Sequence, residues 1–367
     1  MLNKDINFFG TRKEHSFLKK ELLTSVQKTI SHGKSLQGKE VDRFEKKFAE
    51  IHDKKYAIAV NSCTDALYFS LLSLNLSSED EVLLPAYSFL ATATCVLRVG
   101  AKPVFIDVDD NGLMNLDLAT KFVTKNTKVL IYVNLFGLMR NPKYIRNFVK
   151  SNNLVLVEDN AQAFGASYKN IKSGSVGDIS CFSFDPTKVL SAIGSGGMIL
   201  TNSKIKKEKI ISYRYHGKAQ NGDFKYLGFN SQMPSLIASS LLTKMQYYKM
   251  FRKKRISTAN RFIEKLNNLP LNLPSKTGSL EHVFHKFVIR SKKRDGLKKY
   301  LENNGIQCMI HYTYILPNLN IFLKYKKNEM FKNAIKLSKE SLSIPIHPFL
   351  NKTEVEFIIK TIKNFHK

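Results

Sequence analysis

Between about residues 40 and 202 the chain alternates short, continuously apolar runs with amphipathic segments of helical period, and this constrains its fold most. Tyr56–Val60, Val82-Leu83-Leu84, Pro103–Val108, Val129–Val133, Leu154–Val157, Ile179–Phe184 and Met198–Leu200 read as strands. The segment after Asn61-Ser62-Cys63 carries Leu67, Leu71 and Leu74 on one helical face, and Ala91–Leu97, Leu116–Val123 and Tyr144–Lys150 read as further helices. Strands apolar on both faces are buried on both faces. Helices must therefore cover both sides of a mostly parallel sheet, and the fold class is α/β. In such sheets ligands bind beyond the carboxyl ends of the strands.

Past residue 203 the composition turns basic and helical. Pro234–Lys265 reads as one or two long helices. A second unit follows: a strand His285–Arg290, a helix Arg294–Asn303 ending at Gly305, and a closing helix Thr353–Phe365 with Val355, Ile358, Ile359 and Ile362 on one face. At 367 residues the chain is long for one core. The parse is a large domain over 1–249 and a smaller C-terminal α+β domain over 250–367.

The start of the chain lacks an apolar stretch suited to a signal peptide. Nowhere do about 18 apolar residues run together, so no membrane span is expected. Cys63, Cys95, Cys181 and Cys308 share no metal-like spacing, which argues against a metal site or a disulfide framework and for a reducing cytoplasm. The net charge of +28 raises nucleic acid or an anionic membrane as partners, through runs such as Arg252-Lys253-Lys254-Arg255 and Lys292-Lys293-Arg294. Its basic residues are spread along the chain and interleave with apolar helix positions. That pattern favours a lysine-rich background combined with a phosphorylated substrate over a specific nucleic-acid surface.

Chemistry-bearing residues gather at strand ends. Ser62-Cys63-Thr64 opens a helix, where free N–H groups and hydroxyls suit a phosphate, though Ser and Thr also serve there as ordinary caps. Glu158-Asp159 ends a buried strand. Ser183-Phe184-Asp185-Pro186-Thr187-Lys188 follows another strand and precedes Gly194-Ser195-Gly196-Gly197, a run permitting close backbone approach. A strand-end acid, a serine and one lysine in a short loop form a cradle for pyridoxal phosphate. Lys188 would form the Schiff base, Asp159 would keep the pyridinium nitrogen protonated, and Ser183 would bind phosphate. The spacing matches neither a Rossmann glycine fingerprint nor a Walker loop.

With those residues in place the chain resembles the DegT-type nucleotide-sugar aminotransferases, pyridoxal-phosphate enzymes of the aspartate-aminotransferase architecture (fold type I). The resemblance runs almost end to end, through Gly38-Lys39-Glu40-Val41, Ser62–Leu67, Gly100–Asp107, Glu158–Ala166, Phe182–Lys188, Arg214-Tyr215-His216-Gly217, Gly228-Phe229-Asn230-Ser231, His311-Tyr312 and Leu342–Pro348. It implies a mostly parallel seven-stranded sheet and a homodimer with shared active sites. Lys188 would be the Schiff-base lysine and proton shuttle, with Asp159 at the ring nitrogen and Gln162 at the ring hydroxyl. Phe89 would stack on the ring, and Cys63, Thr64 and Ser183 would hold the phosphate, joined by Asn230 of the neighbouring subunit. The resemblance further implies transfer of an amino group from L-glutamate to a dTDP- or UDP-linked keto-hexose, making an amino sugar for cell-surface glycans. His216, His311, Tyr312 and His347 are candidates for the sugar pocket.

Cys63, Gln232 and Asp185 depart from the family pattern. The presence of Lys188 disfavours the dehydratase branch, where histidine replaces it. The competing readings are a pyridoxal enzyme performing elimination, or a basic nucleic-acid or membrane-surface binding protein on a degenerate scaffold.

Overall fold

The computed structural model describes residues 5–275, 281–326 and 331–367. In chain order the strands of the first part are β1 (Tyr56–Val60), β2 (Glu81–Pro85), β3 (Lys102–Ile106), β4 (Thr127–Val133), β5 (Val155–Asp159), a two-residue hairpin β6 (Ser167–Tyr168) and β7 (Ile171–Lys172), β8 (Ile179–Ser183) and β9 (Gly197–Thr201). The hairpin apart, they form one seven-stranded sheet in the order β1-β9-β8-β5-β4-β2-β3. Pairing is parallel from β3 across to β8, and β9 runs antiparallel to both β8 and β1. The sheet is therefore mostly parallel, as its doubly apolar strands require.

One face packs on helices Cys63–Leu72 and Ala91–Arg98 through Ile58, Leu67, Leu71, Val96 and Ile131. The other carries the helix Pro142–Ser151 near Leu83, Leu130 and Leu156, and an aromatic group of Phe44, Phe48, Phe164, Phe182 and Phe184 near β8 and β9. The carboxyl ends of β4, β5 and β8 are left facing a common hollow.

The later chain builds a small two-stranded sheet, β10 (Phe287–Arg290) against β11 (Ser341–Ile344), covered by helices Arg294–Asn303 and Lys352–Phe365. Asn351 and Glu354 close a reciprocal capping box on the last helix, satisfying donors that its first turn would otherwise leave open. Phe262, Phe284, Phe287, Leu297, Ile358 and Ile362 form its core. Ile6 joins that core and pairs with Ile306, which threads residues 5–10 along the edge of the hollow. The long helix Tyr248–Leu266 links the two parts: Phe251 packs near Leu18 and Leu22, while Phe262 enters the smaller core. The chain also returns to the main sheet, where Ile315, Leu316, Phe322 and Leu337 join its principal core.

Strand and helix positions agree with the sequence reading except in particular places. Leu116–Val123 is one α-helical turn followed by a 3-10 turn, Thr120–Phe122. Pro234–Lys265 divides into Ser235–Met245 and Tyr248–Leu266. Helices Thr11–Phe17, Lys19–Ser31, Lys39–Ile51, Lys204–Arg214 and Lys332–Glu340 and the strand Ser341–Ile344 were not read from the sequence. Lys19–Ser31 shows why: only Leu22 and Thr29 are buried, while Leu23 and Ile30 stay exposed, so its apolar stripe is broken.

Gly197 opens β9 where the backbone of Ser62 and Cys63 passes so close that a Cβ would collide with the Ser62 carbonyl. Gly197→Ala should lower unfolding stability by about 1–3 kcal/mol, as overpacking does. The urea midpoint measures this, and an unchanged midpoint would refute the close approach.

Candidate active site

The two acids at the end of β5 have different surroundings. Glu158 is saturated: it accepts from Asn134 Nδ2, Gly174 N and Gly177 N, each at 3.0 Å, and from Ser180 Oγ at 3.1 Å. It ties β5 to the loop before β8 and is structural. Among the described residues Asp159 accepts only from Thr92 Oγ1 at 2.9 Å and from the Ala161 amide at 3.1 Å. Burial pushes its carboxyl above the usual range, opposed by those two bonds and by the charge of Lys188. Its oxygens keep lone pairs open to the hollow, so a cationic donor placed there would draw the carboxyl back to its ionised form.

Opposite lies the start of the helix Cys63–Leu72. Ser62 caps it by accepting from the Asp65 amide at 3.0 Å. The amides of Cys63 and Thr64, in the first turn, have no intrahelical acceptor and suit an anion. Burial pushes the Cys63 thiol well up, so it stays neutral and does not oppose a phosphate by charge.

Lys188 is placed by the turn around Asp185. The Asp185 carboxylate accepts from Thr187 N at 2.9 Å and Thr187 Oγ1 at 2.5 Å, and its carbonyl accepts from Lys188 N at 2.9 Å. An aspartate at this departure from the family pattern therefore builds the loop. Burial lowers the affinity of Lys188 for its proton, against the pull of the Asp185 and Asp159 carboxylates.

Phe89 is 53% exposed, an aromatic face left open inside a hollow. Tyr312 lies 6.2 Å from it, ring to ring. Gln162 is fixed at both ends, donating to Tyr312 Oη at 3.2 Å and accepting from the Phe136 amide at 2.9 Å. Tyr87 holds the next stretch, donating to the His311 carbonyl at 2.5 Å and accepting from the Tyr312 amide at 2.7 Å.

One cavity of ≈ 380 Å³ unites Cys63, Thr64, Phe89, Asp159, Gln162, Ser183, Lys188, His311 and Tyr312. His347 lines a smaller chamber of ≈ 20 Å³ that also reaches Lys188. His216 and Asn230 lie apart on the exposed segment after the helix Lys204–Arg214, and neither lines the cavity within one chain. Gln232 donates to Asn230 Oδ1 at 3.3 Å and accepts from Gln37 at 2.5 Å, steadying that segment.

Among the cavity-wall residues that the sequence reading did not single out are Phe9, Thr92, His285, Lys286 and Met309. Lys286 is buried immediately before β10 and lies over the rings of Phe8 and Phe9. Burial, with the charges of Lys188 and Arg255, depresses its pKa to about 6, against a pull from Asp185. A lone lysine inside the apolar run from Val283 to Ile289 was the available signal.

The chain matches the model of the DegT/DnrJ/EryC1/StrS aminotransferase family over residues 17–363, and it belongs to that family. It is 32% identical to UDP-N-acetyl-3-dehydro-alpha-D-glucosamine 3-aminotransferase of Acidithiobacillus ferrooxidans, over 98% of each chain. It is likewise 32% identical to dTDP-3-amino-3,6-dideoxy-alpha-D-galactopyranose transaminase of Aneurinibacillus thermoaerophilus, over 98% of this chain and 99% of the other. The crystal structure of NtdA from Bacillus subtilis with bound cofactor PMP superposes with a TM-score of 0.92 at 26% identity, covering 99% of this chain and 86% of that one. The fold is thus that of the pyridoxal-phosphate aminotransferases of fold type I.

Lys286 also makes stability depend on pH. Its folded pKa is about 6 and its ordinary value 10.5, so between these limits the unfolded chain binds a proton that the folded chain does not. The cost of burying the ammonium is complete below about pH 6 and fades as pH rises toward 10.5. Lys286→Met should therefore raise the Tm, with the gain over wild type largest near pH 6 and shrinking toward pH 10. A gain that grows with pH would contradict the burial of this amine.

Proposed function

We propose that this protein transfers an amino group from L-glutamate to a keto group of a dTDP- or UDP-linked hexose, with pyridoxal phosphate as cofactor. The observation that carries this reading is the convergence of Asp159, Lys188, the Cys63-Thr64 helix start and the open face of Phe89 on one cavity. The names of its relatives support a nucleotide-sugar acceptor. When bound, the cofactor supplies an electron sink that makes a C–H bond beside the amino nitrogen acidic.

The residues present fit such a group. The amides of Cys63 and Thr64, with the hydroxyls of Thr64 and Ser183, would take its phosphate. The under-satisfied carboxylate of Asp159 would take a ring N–H and hold that proton in place. Phe89 would cover one face of the ring, and Gln162, locked between Phe136 and Tyr312, would meet its hydroxyl.

Lys188 Nζ does the proton work. Burial favours its neutral amine, so it can remove a proton from the donor Cα and later deliver one to the acceptor carbon. His311 and Tyr312 stand on the wall left for the sugar. Asn230, exposed in one chain, would reach the phosphate of a partner subunit, which makes the active form a homodimer. Among the described residues no helix is long and apolar enough to cross a membrane. We place the enzyme in the cytoplasm, supplying amino sugars for cell-surface glycans.

Lys188→Ala should reduce turnover by about 10²–10⁴-fold or more, the range for losing a positioned acid–base group. It should also remove the visible absorbance of lysine-bound cofactor. Formation of 2-oxoglutarate and the mass of the aminated sugar measure the reaction, and full activity in this variant would sink the assignment. Asp159→Asn should keep cofactor bound yet lose most of the rate, with unchanged kcat as the contrary result.

A further inference from the structure

Among the described residues three lysines are less than a tenth exposed, and two of them have polar partners. Lys54 donates to the Gly177 carbonyl at 2.6 Å, and Lys244 pairs with Glu14 at 2.6 Å. Lys286 is the exception. It is 5% exposed, yet among the described residues its Nζ has no hydrogen-bond or ion-pair partner, only the rings of Phe8 and Phe9 at 4.8 and 4.4 Å. Around it, Arg255 Nε, His285 Nδ1 and His347 Nδ1 are buried without partners. All four side chains line the small chamber that opens at Lys188, and Lys286 lines the larger cavity too.

Among the described residues neither nearby carboxylate pairs with Lys286: Glu14 Oε1 is paired with Lys244, and Asp185 Oδ1 accepts from Thr187. A buried ammonium beside a buried guanidinium is costly unless a counter-charge arrives. A bound ligand would supply it. The chamber's ≈ 20 Å³ is little more than the roughly 10–15 Å³ that one water needs, so it excludes a diphosphate, and a carboxylate would reach Lys286 from the ≈ 380 Å³ cavity that this lysine also lines.

We propose that Lys286 is an anion-recognition residue of the substrate pocket, receiving a carboxylate carried either by the amino donor or by an acidic sugar acceptor. The assignment rests on the proposed function. It places the acidic end of a substrate beside the Lys188 amine, and it makes the charge of Lys286 a determinant of which substrates are used. His285, its neighbour on the same wall, is a second contact for that group.

The test compares wild-type holoenzyme with Lys286→Met and Lys286→Arg, by calorimetric binding of glutarate, UDP-glucuronate and UDP-glucose. A charge-assisted hydrogen bond of this kind is worth about 10- to 100-fold in affinity. If the carboxylate belongs to the donor, Lys286→Met weakens glutarate by that factor and raises KM for L-glutamate alike with kcat retained, leaving both nucleotide sugars unaffected. If it belongs to the acceptor, UDP-glucuronate falls to the affinity of UDP-glucose and glutarate is unchanged. Lys286→Arg recovers part of either loss. Equal binding of every probe by wild type and Lys286→Met overturns the proposal, as does a wild type that binds neither acid. A wild type that binds the acids but aminates no keto sugar from glutamate instead overturns the proposed function.

Discussion

A carboxylate buried at the carboxyl end of a parallel strand is costly, and the site is organised around that cost. Among the described residues Asp159 has two hydrogen bonds where its neighbour Glu158 has four. The difference leaves Asp159 with unspent capacity for a positive donor, and the burial that raises its pKa also strengthens its attraction to any cation brought beside it. Lys188, across the same cavity, is subject to the opposite effect: burial disfavours its charge and frees the amine. An acid that seeks a cation and an amine that sheds its proton are complementary demands, and under the function proposed above a protonated ring bearing a reactive carbon would meet both.

The sheet topology supplies the frame for these two groups. Because β4, β5 and β8 run parallel, their carboxyl ends open on one side, and Asp159 and Ser183 are the last residues of β5 and β8. The helix Cys63–Leu72 starts on that side as well, so its free amides face the same space. Gly197 lets the backbone of Ser62 and Cys63 lie against β9, which brings the helix start within reach of the loop carrying Lys188. The remaining wall comes from far along the chain: Phe9 from the N-terminal segment, and His285, Lys286, His311 and Tyr312 from the later unit. Ile6 paired with Ile306 holds the first of these in register with the last.

The strands were legible because residues such as Ile58, Leu83, Ile131 and Leu156 form continuous apolar runs that only a doubly covered sheet can bury. Asp159 and Lys188 stood out as candidates because Asp159 ends such a run and Lys188 follows another by a short loop. Helices such as Lys19–Ser31 were not, since their stability comes from packing against other elements and leaves a discontinuous apolar stripe. The role of Asp185 was also hidden. It read as a departure from the family pattern, and the structure shows it closing the turn that aims Lys188.

By itself, the sequence determined the α/β architecture, the strand-end acid, the Ser62-capped helix start and the family, because each depends on residues close together in the chain or on their order. Only the tertiary structure decided that Lys286 is buried among cations beside Lys188, that Glu158 is structural while Asp159 is not, and that His216 and Asn230 lie outside a single chain's cavity. Those outcomes depend on desolvation and on contacts between residues more than a hundred positions apart, or on counting hydrogen-bond partners. Local periodicity carries no record of either.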